Sequence, residues 1–317
     1  MGWLGHQMSS EDEILVDSDS EESNPEGELK GKKFQHTDFL QLHDALKQLE
    51  NVESFSRDSF MNVWNSIGRV KTSRKTTGSG FICQRPPFIV HEEGEDTKKE
   101  LCSFSDYGKC PFLFVTNAHV VRETDDLTKT TILFFDDKDD TPVVCKVHKR
   151  IAFSPRKPGE SQGNFDFNIL EFALPSEEIH MERILNLTPL KWEFSQKHFD
   201  GISSQELVMI GHPRGGYKTI ASGSFVDKKH SNDSVRFYDI PSRPGCSGSP
   251  VCGLSSVVSD SNIFKVLLLH YDDRKGVKFS DSIASQLQSQ YEGKTYLVMC
   301  NPQTRKSCID GFLKQMV

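Results

Sequence analysis

The stretch Pro244-Gly245-Cys246-Ser247-Gly248-Ser249-Pro250-Val251 decides how the chain is read. A serine flanked this closely by glycine sits in a tight turn, where the backbone can bend sharply and a substrate carbonyl can approach. In such a turn the Gly245 and Ser247 amides can point together at a developing oxyanion. A serine hydroxyl is a weak nucleophile until a base takes its proton.

The base is found by working outward. Phe114-Val115-Thr116-Asn117-Ala118-His119-Val120-Val121 is an apolar strand that runs into His119. An imidazole base needs an orienting carboxylate. Asp166 supplies one at the head of Phe167-Asn168-Ile169-Leu170-Glu171-Phe172, a strand that reads as core. An Asp at that place is costly unless paired. His119, Asp166 and Ser247 are therefore the candidate catalytic residues, with the Gly245 and Ser247 amides as the candidate oxyanion hole. Cys246 is not the nucleophile: the residue directly before Gly248 and two after Gly245 is Ser247.

The surroundings read as β structure. Twelve short apolar segments alternate with Gly, Pro, Asp and Lys clusters: 66–70, 79–83, 111–116, 131–135, 143–148, 167–173, 207–210, 218–225, 235–240, 250–253, 264–270 and 276–279. That count suggests a barrel or sandwich protein, and two six-stranded barrels fit it. Before them, Phe39, Leu42, Leu46 and Leu49 recur at helical spacing over 37–52, with Thr37 or Asp38 as the cap. Residues 57–66 read as a second short helix, and Phe279–Gln290 as a closing one. The helix over 37–52 is expected to pack on the body, with oligomerisation as the alternative.

Order and wording of these motifs then resemble a family. His119, Asp166 and Ser247 follow the chain order of chymotrypsin-fold serine peptidases. "TNAHVV" (116–121) closely resembles the histidine motif of HtrA-type and staphylococcal glutamyl-endopeptidase-type enzymes. "DFNILEF" (166–172), "GCSGSPV" (245–251), "GSGFI" (78–82) and "VMIGHPRGGYKTIASGSF" (208–225) look like their other signatures. The resemblance covers about residues 62–290. It implies an all-β fold of two six-stranded β-barrels (the chymotrypsin/trypsin-like fold) with an N-terminal and a C-terminal helix. It also implies an intracellular serine endopeptidase acting through an acyl-enzyme; the alternative is a catalytically weak or inactive protease-fold binding scaffold. Where the trypsin branch has an Asp before its serine, this chain has Cys246, and where that branch has Cys after its histidine, this chain has Val120. Zymogen activation by a new amino terminus is therefore not expected.

The substrate pocket is expected along Ile240–Arg243, the strand Leu268-Leu269-His270-Tyr271 and the Gly276 region. Pro241 stands six residues before Ser247, where an Asp would select Lys or Arg. His270 lies where glutamyl endopeptidases carry a pocket histidine, which favours Glu or Gln at P1. Asp272 and Asp273 would oppose an acidic side chain, and an apolar or aromatic P1 stays open. Pro241, His270 and Gly276 are the pocket candidates.

The full chain has 317 residues with 36% hydrophobic content, a mean hydropathy of −0.49 and a net charge of −7. That leaves material for a sizeable core and no apolar run long enough for a membrane helix. The charge is lopsided: residues 1–30 hold nine acidic residues against Lys30 alone, so the remainder is close to neutral. No basic face is expected for nucleic acid. The expected organisation is a disordered acidic tail over 1–33, a helical extension over 34–61 and a peptidase domain over 62–292. Within the last, barrel 1 runs about 62–180 and barrel 2 about 200–292. An extension over 293–317 follows, and Phe88–Lys109 reads as a surface loop. In the tail, Ile14-Leu15-Val16 precedes Asp17-Ser18-Asp19-Ser20-Glu21-Glu22 and resembles a SUMO-interacting motif, a β-branched run that adds to a partner's sheet edge. Partners expected are protein or peptide substrates and, through Ile14, Leu15 and Val16, SUMO or another partner. Neither cofactor nor metal is called for, since the eight cysteines show no CxxC pair. The start of the chain shows no secretory leader, so the expected setting is cytoplasm or nucleus with thiols reduced.

Overall fold

A computed structural model gives the fold and describes residues 39–52, 55–84, 110–138, 140–155, 166–192, 206–227, 235–254, 265–272 and 275–278. The expected tail over 1–33, loop over 88–109, helix over 279–290 and extension over 293–317 lie outside those residues.

Six strands form a closed barrel in the order β1-β2-β3-β6-β5-β4. They are β1 (Ile67–Lys71), β2 (Thr77–Gln84), β3 (Phe112–Thr116), β4 (Thr131–Phe134), β5 (Val143–Ser154) and β6 (Phe167–Phe172). The second sheet runs β11-β8-β9-β10-β13-β12-β7. Its strands are β7 (Lys191–Trp192), β8 (Glu206–Gly211), β9 (Thr219–Val226), β10 (Val235–Tyr238), β11 (Pro250–Gly253), β12 (Lys265–Asp272) and β13 (Lys275–Lys278). A β11–β12 pairing brings the two ends of six of these strands together, so they wrap into a second barrel with β7 attached outside. The expected all-β double barrel is what the protein adopts.

The strands that looked uniformly apolar are buried on both faces. In β2, Phe81 joins one core and Ile82 another; in β3, Leu113 and Val115 face the first, and Phe112 and Phe114 the second. In β8, Val208 and Ile210 face the same shared core as Phe81, while Leu207 and Met209 fill the second barrel. Period-two alternation thus gives each barrel an interior and gives both a common apolar interface.

Three helices flank the sheets. In α1 (Leu42–Leu49) the side chains Ala45, Leu46 and Leu49 are buried in the shared core, so this helix packs on the body. It begins later than its periodicity predicts, and Gln41, not Thr37 or Asp38, precedes it without a side-chain cap. The reason is that Leu40 is drawn into a backbone bridge with Ile220, at 2.8 and 3.0 Å, which holds the preceding chain extended. In α2 (Arg57–Asn65) Ser56 caps the helix, and Phe60, Val63 and Trp64 are buried. Lys218 is itself wholly buried and donates to the Trp64 carbonyl at 2.7 Å, with burial pulling its pKa down to about 8.

β7 has no counterpart in the sequence reading, and two other elements also differ from it. β5 continues six residues past His148, because two register shifts against β6, at His148 and Ile151, keep the longer segment paired as one strand. A helix α3 (Glu178–Leu185) has no counterpart in the reading; only Ile184 is buried in it, while Ile179 and Leu185 are exposed, so no apolar stripe announces it. Among the described residues no helix is long and apolar enough to cross a membrane.

Candidate active site

β3 and β6 are antiparallel neighbours with Thr116 opposite Asn168, so the turn after β3 meets the residue before β6. That turn carries His119. Asp166 adopts φ +51, a left-handed conformation that short polar residues such as Asp tolerate best. Its carbonyl accepts from the Asn117 side-chain amide at 2.7 Å and from the Ala118 N–H at 3.3 Å. Its carboxylate then reaches His119 twice. The His119 N–H donates to Oδ1 at 2.9 Å, and the ring Nδ1 stands 2.6 Å from Oδ2. Asp166 is 1% exposed, whereas 40% of the His119 side chain is open. A buried carboxylate at Nδ1 selects the Nδ1–H tautomer and leaves Nε2 with its lone pair available.

Ser247 lies on the loop that leads into β11. Gly245 and Gly248 take φ +95 and +89, which a side chain resists. A Cβ on Gly248 would lie 2.0 Å from the Ser79 carbonyl oxygen, so this glycine lets the loop press against β2. Three further bonds fix it there. The Ser79 N–H donates to the Ser247 carbonyl at 2.8 Å, and the Ser79 hydroxyl donates to the Gly245 carbonyl at 2.8 Å. The Gly248 N–H donates to the His270 carbonyl at 2.8 Å. Among the described residues, neither the Gly245 nor the Ser247 N–H donates to a protein acceptor. Both amides of the candidate oxyanion hole are therefore uncommitted.

His119 and Ser247 line one cavity of about 510 Å³ together with Ser242, Arg243, Pro244, His270, Tyr271 and Asp272. No hydrogen bond joins the Ser247 hydroxyl to the His119 ring among the described residues; such contacts often tighten only when substrate binds. The sequence candidates thus separate. His119 and Ser247 share the cavity, and Asp166 lies behind His119. His270 lines the cavity; Pro241 is next to the lining residue Ser242 but outside the described lining, and Gly276 pairs with His270 from β13.

The buried Cys246 thiol has its pKa pushed up to about 11 by burial, which suits a packing role over a nucleophilic one. The sequence reading placed Ser79 and Tyr238 on strands but gave neither a role at the site. The Gly78-Ser79-Gly80 pattern is the signal for Ser79: two strand glycines around one serine mark a close backbone approach. Tyr238 meets the site through His270, a contact that no local pattern encodes.

The trypsin-like peptidase domain family matches residues 99–257, half of the chain. No curated protein matches the sequence. Among solved structures, Deg5 is 16% identical with a TM-score of 0.44, covering 72% of this chain and 90% of that one. The serine endoprotease from Yersinia pestis is 11% identical with a TM-score of 0.45, covering 75% and 67%. An HtrA-type protease with a tripeptide is 14% identical with a TM-score of 0.43, covering 74% and 63%.

Proposed function

The chain belongs to the trypsin-like peptidase domain family, and from that premise we propose that it is a serine endopeptidase working through His119, Asp166 and Ser247. The observation that carries this reading is the cavity shared by Ser247 and a His119 ring whose far nitrogen is 2.6 Å from a buried carboxylate. Ser247 Oγ attacks the scissile carbonyl while His119 Nε2 takes its proton. The Gly245 and Ser247 amides receive the oxyanion. His119 returns the proton to the leaving amine, which departs and leaves an acyl-enzyme. Water, deprotonated by the same imidazole, then releases the acid and restores Ser247.

Five buried free thiols, Cys83, Cys110, Cys145, Cys246 and Cys252, support a reducing, intracellular setting. A fluorophosphonate probe tests the proposal. It is expected to label the wild-type protein and to fail on Ser247→Ala. Absence of labelling in a folded wild type would instead favour the binding-scaffold reading, to which the missing Ser247–His119 hydrogen bond among the described residues lends its only support.

A further inference from the structure

Two lining residues of the cavity beside Ser247, His270 and Ser242, belong to a three-residue relay that the peptidase reaction does not require. His270 on β12 is 2% exposed, and both of its ring nitrogens are engaged. Nδ1 contacts the Tyr238 hydroxyl, and Nε2 stands 2.8 Å from Ser242 Oγ. The Tyr238 hydroxyl also donates to the Lys275 carbonyl at 3.0 Å.

Proton counting fixes the direction of the relay. A phenol has one hydrogen, and the Lys275 carbonyl takes it. His270 Nδ1–H must then donate to the Tyr238 oxygen. That leaves Nε2 as an acceptor, so the Ser242 hydroxyl donates to it. Every hydrogen of the relay is spent within the protein. What it offers the cavity is the lone pairs of Ser242 Oγ, a neutral acceptor.

Charge narrows the occupant. A P1 carboxylate brings no hydrogen for Ser242 Oγ and faces Asp272 across the same cavity. Asp272 is already paired with Lys275 at 3.5 Å, and the lining cation Arg243 stacks 4.6 Å from the centre of the Phe39 ring. A P1 ammonium or guanidinium would be desolvated beside Arg243 in surroundings whose burial keeps His270 itself uncharged, its pKa drawn down to about 4. An apolar P1 leaves Ser242 Oγ desolvated with no donor. A carboxamide supplies N–H donors and carries no charge.

We propose that the Tyr238–His270–Ser242 relay makes this cavity a P1 site for a carboxamide, so that the protein cleaves after glutamine. This deepens the serine-endopeptidase reading and rests on it. The test uses peptides differing only at P1, carrying Gln, Glu, Lys or Met, with full-length protein and a parallel fluorophosphonate labelling of Ser247. The Gln peptide is expected to lead each of the others in kcat/KM by at least about tenfold, because a site built for a donor rejects analogues that lack one. Ser242→Ala is expected to bring the Gln-to-Met ratio to within about twofold of unity, and Ser242→Thr, which keeps the hydroxyl, to restore it. Cleavage led by Glu, Lys or Met overturns the inference and leaves the peptidase reading standing. So does labelling without cleavage of the Gln peptide. Neither labelling nor cleavage of any peptide overturns both.

Discussion

The Ser79 hydroxyl donates a 2.8 Å hydrogen bond to the Gly245 carbonyl, tying a strand of the first barrel to the loop that precedes β11 in the second. The same oxygen accepts from the His212 N–H at 2.8 Å. Ser79→Ala leaves both backbone groups buried without their partner, at a cost of about 1–3 kcal/mol. Because Gly245 also supplies an oxyanion amide in the proposed mechanism, kcat is expected to fall by more than KM changes. Urea unfolding with steady-state kinetics checks this; an unchanged kcat would remove Ser79 from the support of the loop.

Asp166→Asn keeps the shape of the side chain and loses the charge that selects the Nδ1–H tautomer. A drop in kcat of roughly 10⁴-fold is expected, with the fold retained. Circular dichroism and peptide hydrolysis measure the two separately. Near-normal turnover would show that the Asp166–His119 contact at 2.6 Å has no catalytic part.

His270 makes the fold acid-sensitive. Unfolded, it takes a proton near its ordinary 6.5; folded, burial delays this to about 4. Between those values the unfolded chain binds more protons, so stability is full above about 6.5 and is lost as pH falls towards about 4. The whole span amounts to about 3 kcal/mol. Denaturant unfolding at about pH 7 and about pH 4 should show a smaller difference for His270→Gln than for the wild type. Equal differences would locate the acid sensitivity elsewhere.

Reductant is expected to leave the thermal midpoint unchanged, since the described cysteines are buried free thiols. Scans with and without dithiothreitol decide it. A drop of more than several degrees on reduction would reveal a stabilising disulfide.

The acidic tail is proposed to serve location and not turnover. Deleting residues 1–33 is expected to leave kcat/KM on a short peptide within about twofold, because no barrel residue is removed. A labelled tail peptide titrated with SUMO is expected to bind weakly and salt-sensitively, and to lose binding when Ile14 and Val16 become Ala. No binding, even after phosphorylation of Ser18 and Ser20, would end that reading.

How much of this was visible in the letters depended on whether the cause was local. Gly245 and Gly248 bracket Ser247 within four residues, and both are needed by a turn with positive φ, so the loop could be read directly. Phe112–Val115 is a continuous apolar run, and Phe167–Phe172 is apolar but for Asn168 and Glu171, because two cores sandwich these strands, and their strand character was plain. The start of α1 was misjudged because Leu40 is committed to Ile220, far along the chain. α3 escaped notice because its exposed Ile179 and Leu185 give it no one-sided stripe. In the pocket, His270 was legible through the resemblance to glutamyl endopeptidases, while its partner Tyr238 stands on another strand, and the fold unites them.

The division of the site between the barrels also sets a timetable. A ribosome delivers His119 and Asp166 first, and Ser247 follows roughly 80 residues later. At about 5–20 residues per second that is an interval of roughly 4–16 s. During it the nascent chain holds a base and its carboxylate but no nucleophile. Even after Ser247 emerges, its loop has no seat until β2 receives it through Ser79. On the proposed function, proteolytic competence arrives only once Ser247 has emerged and its loop has docked on β2, and a chain cut short before Ser247 cannot digest its neighbours.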